Sequence, residues 1–243
     1  MRTGFSDAVG ILYLVNEEIA VAVPSAGGVD RRFRPGRYIE SDYPPPLRRS
    51  PFVRDMERIT SSRAYRITYI GVPLIVAGLV VQERDRGFRH LRNDYVPSFR
   101  LHYDDYLQYA PAALMLGLKI GGVRGRSSWG RMLVSDAFSV ALMAGAVNSL
   151  KYTCRMPRPD GSNNKSFPSG HTATAFMAAT MLHKEYGPRS LWYSIAGYSM
   201  ATVTGVSRML NNKHWFSDVL VGAGIGILSV ELGYLFALSL IHI

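Results

Sequence analysis

Three short segments of the 243-residue chain carry residue types that could act on a phosphate group. The first is a pair of cations, the second a Pro-Ser-Gly-His turn, and the third joins a cation to a histidine and a carboxylate. Their members are Lys151, Arg158 and Pro159; Pro168, Ser169, Gly170 and His171; and Ser207, Arg208, His214 and Asp218. This set of cations, imidazoles and a carboxylate is suited to attack on a phosphate monoester.

Each segment taken alone also has an ordinary structural interpretation. The lysine and arginine of the first could be a snorkelling pair at a membrane interface. Ser169 could simply cap a helix, with His171 as an interfacial histidine. His214 and Asp218, four residues apart, could be a pair on one helix surface. The chemical interpretation is favoured because all three segments occur in one chain.

The cations and the turn together predict a phosphate-binding site. Arg158 and Arg208 can each offer a planar pair of N–H donors, and Lys151 offers a point charge. The helix expected after the turn has free backbone N–H groups at its positive end. Gly170 lacks a Cβ, so the backbone could approach the phosphate there, and Ser169 could add a hydroxyl donor.

The two histidines predict a covalent route that needs neither a metal nor another cofactor. His214 is the expected nucleophile, with Asp218 accepting a hydrogen bond from Nδ1–H and leaving Nε2 free to attack. His171 would protonate the departing alkoxide and later deprotonate the attacking water. We expect no metal site, because the chain has no obvious carboxylate cluster and its only cysteine is Cys154.

The charge of the chain must be weighed against its apolar segments. A net charge of +10 and a pI near 9.9 would suit a nucleic-acid-binding protein. The arginines, however, lie between apolar segments, which favours a membrane bilayer over nucleic acid as the partner. Six candidate spans follow: Ile67–Gln82, Tyr106–Val123, Met132–Leu150, His171–His183, Leu191–Val206 and Val219–His242.

The pattern predicts an all-α fold, a six-helix transmembrane bundle occupying residues 66–243. Residues 1–65 form a second, basic and partly irregular region in this interpretation, with a linker-like composition over 27–50. The glycines at 222, 224 and 226 predict close helix packing. A soluble bundle of six buried helices is the alternative, since apolar runs of this length also occur in soluble cores.

The cations near the span ends predict the orientation of the bundle. Those before the first span, after the second and after the fourth are expected in the cytoplasm, although four arginines after the first span oppose this. All three segments then share the extracytoplasmic face. The bacterial inner membrane is the expected location, and we expect the outer loop from Glu83 to Asp105 either to help bind an anionic head group or to be solvated.

Both ends of the sequence carry separate expectations. Arg2 is too weak a basic start for a signal peptide, and the run Ile11–Val23 predicts an amphipathic interfacial helix or a disordered tail. The last span ends without flanking cations, which predicts a truncated or unusual C-terminus.

The motif order Lys-x6-Arg-Pro, Pro-Ser-Gly-His and Ser-Arg-x5-His-x3-Asp resembles the type 2 phosphatidic acid phosphatase (PAP2) superfamily at every signature position. The resemblance covers the chain from about Ile67 onward. It implies a six-helix membrane core with an extracytoplasmic site, metal-independent phosphatase activity and a phosphohistidine intermediate. By position, it implies His214 as nucleophile, Asp218 as the residue that orients it, and His171 as general acid. It also implies phosphate contacts from Lys151, Arg158, Ser169, Gly170 and Arg208.

Three functions are therefore weighed. The first is a lipid phosphatase, a phosphoric monoester hydrolase acting on phosphatidic acid, phosphatidylglycerol phosphate, polyprenyl diphosphate or phosphorylated lipid A. The second is a vanadate-dependent haloperoxidase, which would share the anion site, but its relatives are soluble. The third is a catalytically silent membrane relative, which usually lacks a signature residue. The filled motifs and apolar segments favour the first, and the oligomeric state is left open.

Overall fold

The computed structural model describes residues 50–241. The predicted interfacial helix over Ile11–Val23, most of the linker-like segment and the last two residues lie outside this range. One compact unit spans Arg49–Ile243, and the predicted domain boundary at residue 65 falls within it. That position lies inside a helix, Arg63–Thr68, which contacts both of its neighbours in sequence.

The described residues form ten α-helices, one short 3₁₀ helix and no strand, which confirms the predicted all-α class. The helices are α1 Pro51–Ser61, α2 Arg63–Thr68, α3 Gly71–Val81, α4 Asp85–Tyr95, α5 Asp104–Leu107, α6 Ala110–Ile120, α7 Trp129–Cys154, α8 Gly170–Tyr186, α9 Leu191–Leu210 and α10 Phe216–Ile241. The 3₁₀ helix, Gln82–Arg84, connects α3 to α4.

Each of the six predicted spans overlaps a helix, but the first two are divided. The first lies across α2 and α3, and the second across α5 and α6. Pro73 and Pro111 lie in the first turns of α3 and α6, where the missing N–H of proline has no helical partner to lose. A new helix therefore starts at each position, where the apolar pattern alone predicted one continuous helix.

Two of the described helices are long and apolar enough to cross a membrane. They are α7 and, over Phe216–Ala237, α10. Helix α10 packs against α3, α7 and α8, while α8 also packs against α6 and α9. The core between them is apolar, and its most buried members include Met132, Leu182 and Val230.

Glycines allow α10 to approach its neighbours closely, as the small-residue pattern predicts. A Cβ at Gly222 would lie 2.6 Å from the Ser169 carbonyl oxygen, and one at Gly224 would lie 2.6 Å from the Gly71 carbonyl oxygen. Only a residue without a side chain fits such contacts. Gly222 thus brings α10 directly against the segment that begins α8.

Several helices present large apolar side chains outward. They belong to α3, α7 and α9: Val76, Leu79, Val80, Leu133, Phe138, Leu191, Trp192 and Ile195. So many exposed large apolar side chains are unusual for a protein surrounded by water. These helices therefore carry large apolar side chains outside the core as well as within it.

Candidate active site

The three chemical segments lie at helix ends and meet at one end of the bundle. The loop between α7 and α8 carries the Pro-Ser-Gly-His turn, and the loop between α9 and α10 carries His214. The Ser169 backbone N–H donates to the Asp218 carbonyl oxygen at 3.0 Å, and the Ser166 hydroxyl donates to Asp218 Oδ2. These bonds join the segment before α8 to the first turn of α10, so residues distant in sequence converge.

Ser169 caps the N-terminus of α8. Its hydroxyl accepts a hydrogen bond from the Thr172 N–H at 3.4 Å and lies 2.9 Å from Thr172 Oγ1. The side chain is fully buried. The capping interpretation is confirmed, and the predicted hydroxyl contact with phosphate stays a prediction.

Lys151 holds the turn that precedes α8. Its Nζ donates to the Pro168 carbonyl oxygen at 2.8 Å and to the Lys165 carbonyl oxygen at 3.0 Å. The sequence predicted only a contact with phosphate. A Cβ at Gly170 would lie 3.7 Å from Lys151 Cε, an ordinary contact, so no neighbouring protein atom requires glycine there.

The two arginines of the segments lie near each other, with Arg208 buried and Arg158 partly buried. Burial is the largest cause that lowers the pKa of Arg158, and the positive charge of Arg208 lowers it further. Nε of each guanidinium is buried and has no hydrogen-bond partner among the described residues. Arg208 Nη1 donates to Asp104 Oδ2 at 2.7 Å. Each guanidinium therefore retains donors for an anion.

His214 and Asp218 are adjacent and almost completely buried. His214 Nδ1 lies 3.5 Å from Asp218 Oδ2, which is longer than an ordinary hydrogen bond, and the bond predicted between them stays a prediction. Asp218 Oδ2 accepts hydrogen bonds from the Trp215 N–H, at 2.9 Å, and from the Ser166 hydroxyl. These two donors occupy the oxygen that faces His214, and they fix the carboxylate next to the ring.

The environment of His214 favours its neutral form. Burial is the largest cause, and the positive charges of Lys151 and Arg208 act in the same direction, while Asp218 opposes them. Together they lower the pKa of His214 to about 4. A neutral imidazole retains a lone pair, as a nucleophile must.

His171 has a partner that the sequence analysis missed. Its Nε2 lies 2.9 Å from Asp105 Oδ1, and the same oxygen lies 3.3 Å from Arg208 Nη1. Asp105 and the fully buried Asp104 form the first turn of α5. The sequence did contain a signal for this partner. The two adjacent aspartates precede the second predicted span at its predicted extracytoplasmic end, on the same face as the cations.

The segment leading to this acidic pair is tied to the loop after α9. We call residues 92–105 the outer arm. Tyr103 Oη lies 2.6 Å from Ser207 Oγ, and Arg92 Nε donates to the Leu210 carbonyl oxygen at 2.8 Å. Asn211 Nδ2 donates to Asp104 Oδ1 at 3.2 Å. The outer arm therefore supplies carboxylates to the site, in addition to the cations that the sequence suggested.

The assembled groups can bind an anion and attack it. Three cations lie with two imidazoles and the free N-terminus of α8 at one end of the bundle. Within residues 50–241, no group of three or more His, Cys, Asp or Glu side chains is placed to hold a metal ion. The geometry is suited to phosphoryl transfer to a histidine.

Comparison with known proteins agrees with this chemistry. A lipid A 1-phosphatase from Porphyromonas gingivalis is 52% identical over 164 residues, which is 67% of this chain and 37% of that protein. The chain therefore spans little more than a third of the length of this relative.

Two solved structures have similar backbones. LpxE from Aquifex aeolicus has a TM-score of 0.45 and 25% identity, over 62% of this chain and 93% of that one. A transmembrane PAP2 type phosphatidylglycerolphosphate phosphatase from Bacillus subtilis has a TM-score of 0.47 and 21% identity, over 70% and 97%.

The family match covers the part of the chain that carries the chemistry. Residues 133–240 match the PAP2 superfamily, and this range contains every candidate site residue named from the sequence. The 52% identity to a lipid phosphatase extends over a longer segment. The chain contains a PAP2 superfamily domain over residues 133–240.

Proposed function

We propose that this protein is a metal-independent lipid phosphatase that forms a phosphohistidine on His214. The observation that carries the proposal is the Ser169–Asp218 backbone hydrogen bond, which joins the start of α8 to the start of α10. That bond places the turn bearing His171 beside the loop bearing His214. Lys151, Arg158 and Arg208 supply the positive charge around the same point.

The proposed first step transfers the phosphoryl group to the protein. His214 Nε2 attacks phosphorus while the bond to the lipid oxygen breaks, and His171 donates a proton to the leaving alkoxide. Asp218, 3.5 Å from Nδ1, stabilises the positive ring that results. The three cations and the N–H groups at the start of α8 hold the phosphate oxygens, whose charge changes during transfer.

The second step releases phosphate. His171, which lost its proton in the first step, accepts one from water, and the hydroxide attacks phosphorus as the P–N bond breaks. Inorganic phosphate leaves and His214 returns to its neutral form. The low pKa of His214 suits this step, because a poorly basic imidazole is a good leaving group.

The substrate is a phosphorylated lipid, and we favour a glycolipid phosphate of the lipid A class. The support is the 52% identity to a lipid A 1-phosphatase. The site residues themselves would contact only the phosphate group. A diphosphate head group would fit the same chemistry, since the bond that breaks is again phosphorus to oxygen.

A membrane location is supported by the apolar surface of the bundle. Helices α7 and α10 are long enough to span, and α3, α7 and α9 expose large apolar side chains. We propose that the six-span catalytic unit lies within the compact unit Arg49–Ile243. The active site would then lie at the extracytoplasmic face of a bacterial inner membrane.

Phosphate release from a purified sample tests this function. Detergent-solubilised protein should release inorganic phosphate from a lipid A-type phosphate with excess EDTA present. His214→Ala should abolish turnover together with an acid-labile, alkali-stable phosphoenzyme. A fully active His214→Ala variant, or activity that disappears with EDTA and returns with a divalent metal, would contradict the proposal.

A further inference from the structure

A second cationic cavity adjoins the candidate active site. It has a volume of about 420 Å³ and lies between the outer arm and the loop after α9. Its lining includes Arg92, Phe99, Arg100, His102, Arg208 and Lys213. Arg208 is shared with the phosphate site, so the two sites are neighbours on the same face of the molecule.

The charge of this cavity is unbalanced. Four of its lining residues are arginine or lysine. Lys213 pairs with Asp160 at 2.7 Å and Arg208 with Asp104 at 2.7 Å, whereas Arg92 and Arg100 have no carboxylate partner among the described residues. Arg92 is held by the carbonyl oxygens of Leu210 and Phe99. Arg100 is exposed and makes no ion pair with any other described residue. The cavity thus has cationic donors that the fold itself does not use.

We infer that this cavity, here named the outer subsite, binds a second phosphate group carried by the same lipid head group. The inference rests on the proposed function, because it places one phosphate at His214 and another near Arg100. Guanidinium groups bind phosphate oxygens through paired N–H donors, and a cavity of this size accommodates a phosphate with part of a sugar. Phe99 offers an apolar face against which a sugar ring could lie.

The outer subsite would act on substrate choice. A head group with one phosphate would occupy only the catalytic site, whereas one with two would gain contacts at both. Hydrogen bonds to charged groups typically contribute enough to change affinity about tenfold or more. The protein should therefore prefer a diphosphorylated glycolipid to the same lipid without the phosphate that is not cleaved.

The test compares these two lipids. For the unmodified protein and for Arg100→Ala, kcat/KM is measured on the diphosphorylated glycolipid and on its monophosphorylated form. Arg100→Ala should reduce the preference for two phosphates about tenfold, through KM, and leave the monophosphorylated substrate unchanged. Arg100→Lys should restore part of the preference. The control is Arg86→Ala, an exposed arginine of α4 that does not line the cavity.

Binding to the His214→Ala protein gives a second readout that needs no turnover. The affinities of the two lipids should differ in the same ratio, and Arg100→Ala in that background should remove the difference. If the unmodified protein releases no phosphate, the proposed function is refuted. The ratio of the two lipid affinities still tests whether the outer subsite binds a second phosphate. Equal effects on both lipids, or none, would overturn the inference. If free inorganic phosphate makes the monophosphorylated lipid bind as tightly as the diphosphorylated one, the second phosphate need not belong to the same lipid molecule. That result would overturn the assignment of both phosphates to one substrate.

Discussion

Asp105 Oδ1 bridges two groups of the site, lying 2.9 Å from His171 Nε2 and 3.3 Å from Arg208 Nη1. One carboxylate therefore contacts both the proposed general acid and a proposed phosphate ligand. A carboxylate at this distance fixes the orientation of the ring and stabilises its protonated form. Asp105 is thus a positioning residue for proton transfer to the leaving group.

Substitution of Asp105 should affect chemistry in a manner that depends on the leaving group. Asp105→Asn should lower kcat on an alkyl phosphate lipid by about 10- to 100-fold, part of the usual contribution of a general acid. The loss should be much smaller on p-nitrophenyl phosphate, whose leaving group needs no proton. Steady-state rates on both substrates check this, and equal losses would contradict the positioning role.

Asp104 provides the matched comparison. It is fully buried and accepts a hydrogen bond from Arg208 at 2.7 Å, whereas the hydrogen-bond partner of His171 is Asp105. Asp104→Asn should weaken the hold on Arg208 and raise KM for both substrates alike. A leaving-group dependence equal to that of Asp105→Asn would show that the two carboxylates act through a common structural effect.

The buried neutral histidine predicts a pH dependence of stability. The pKa of His214 is about 4 in the fold against an ordinary value of 6.5, so below pH 6.5 the unfolded chain binds a proton that the folded chain excludes. Stability from this group is complete above pH 6.5 and falls toward pH 4, by up to about 1.4 kcal/mol per pH unit.

Thermal unfolding in detergent between pH 4 and 7 measures this effect. The Tm of the unmodified protein should fall more steeply with acid than that of His214→Gln. His90→Gln, which changes an exposed histidine of α4, should retain the original slope. Parallel curves for the unmodified protein and His214→Gln would contradict the assignment of a buried neutral ring.

Two glycines should respond differently to alanine. At Gly222 a Cβ would lie 2.6 Å from the Ser169 carbonyl oxygen, whereas at Gly170 its nearest neighbour is Lys151 Cε at 3.7 Å. Gly222→Ala should lower stability by about 1–3 kcal/mol through overpacking. Gly170→Ala should leave Tm unchanged and reduce kcat/KM at least about tenfold, because the new methyl group enters the phosphate position. Tm and phosphate release measured on both variants check this, and an active Gly170→Ala would contradict the predicted backbone approach.

The shape of Arg158 should matter beyond its charge. Its buried Nε has no partner among the described residues, which leaves a planar set of donors for the phosphate. Arg158→Lys retains the charge and loses the paired geometry, so kcat/KM should fall by roughly 10- to 100-fold. Arg155→Lys, an exposed neighbour, is the control and should keep its activity. Full activity of Arg158→Lys would show that charge alone suffices.

The sequence by itself determined the helical class and the chemical inventory. Apolar runs too long for strands are a local property of the sequence, and so are the charge and nucleophilicity of each residue type. Both can therefore be read from the order of residues. The sequence also placed Ser169 as a helix cap, which depends only on contacts within one turn. It did not predict the breaks before α3 and α6, where proline acts within an otherwise continuous apolar run.

Only the tertiary structure decided which side chains meet. The bridge from Asp105 to His171 joins positions 66 residues apart, and the Ser166 hydrogen bond that fixes the Asp218 carboxylate beside His214 joins positions 52 residues apart. No local pattern encodes such pairs, because they depend on how far each helix extends and how closely glycines such as Gly222 let helices approach. The outer subsite has the same origin, since it exists only where the outer arm folds back onto the loop after α9.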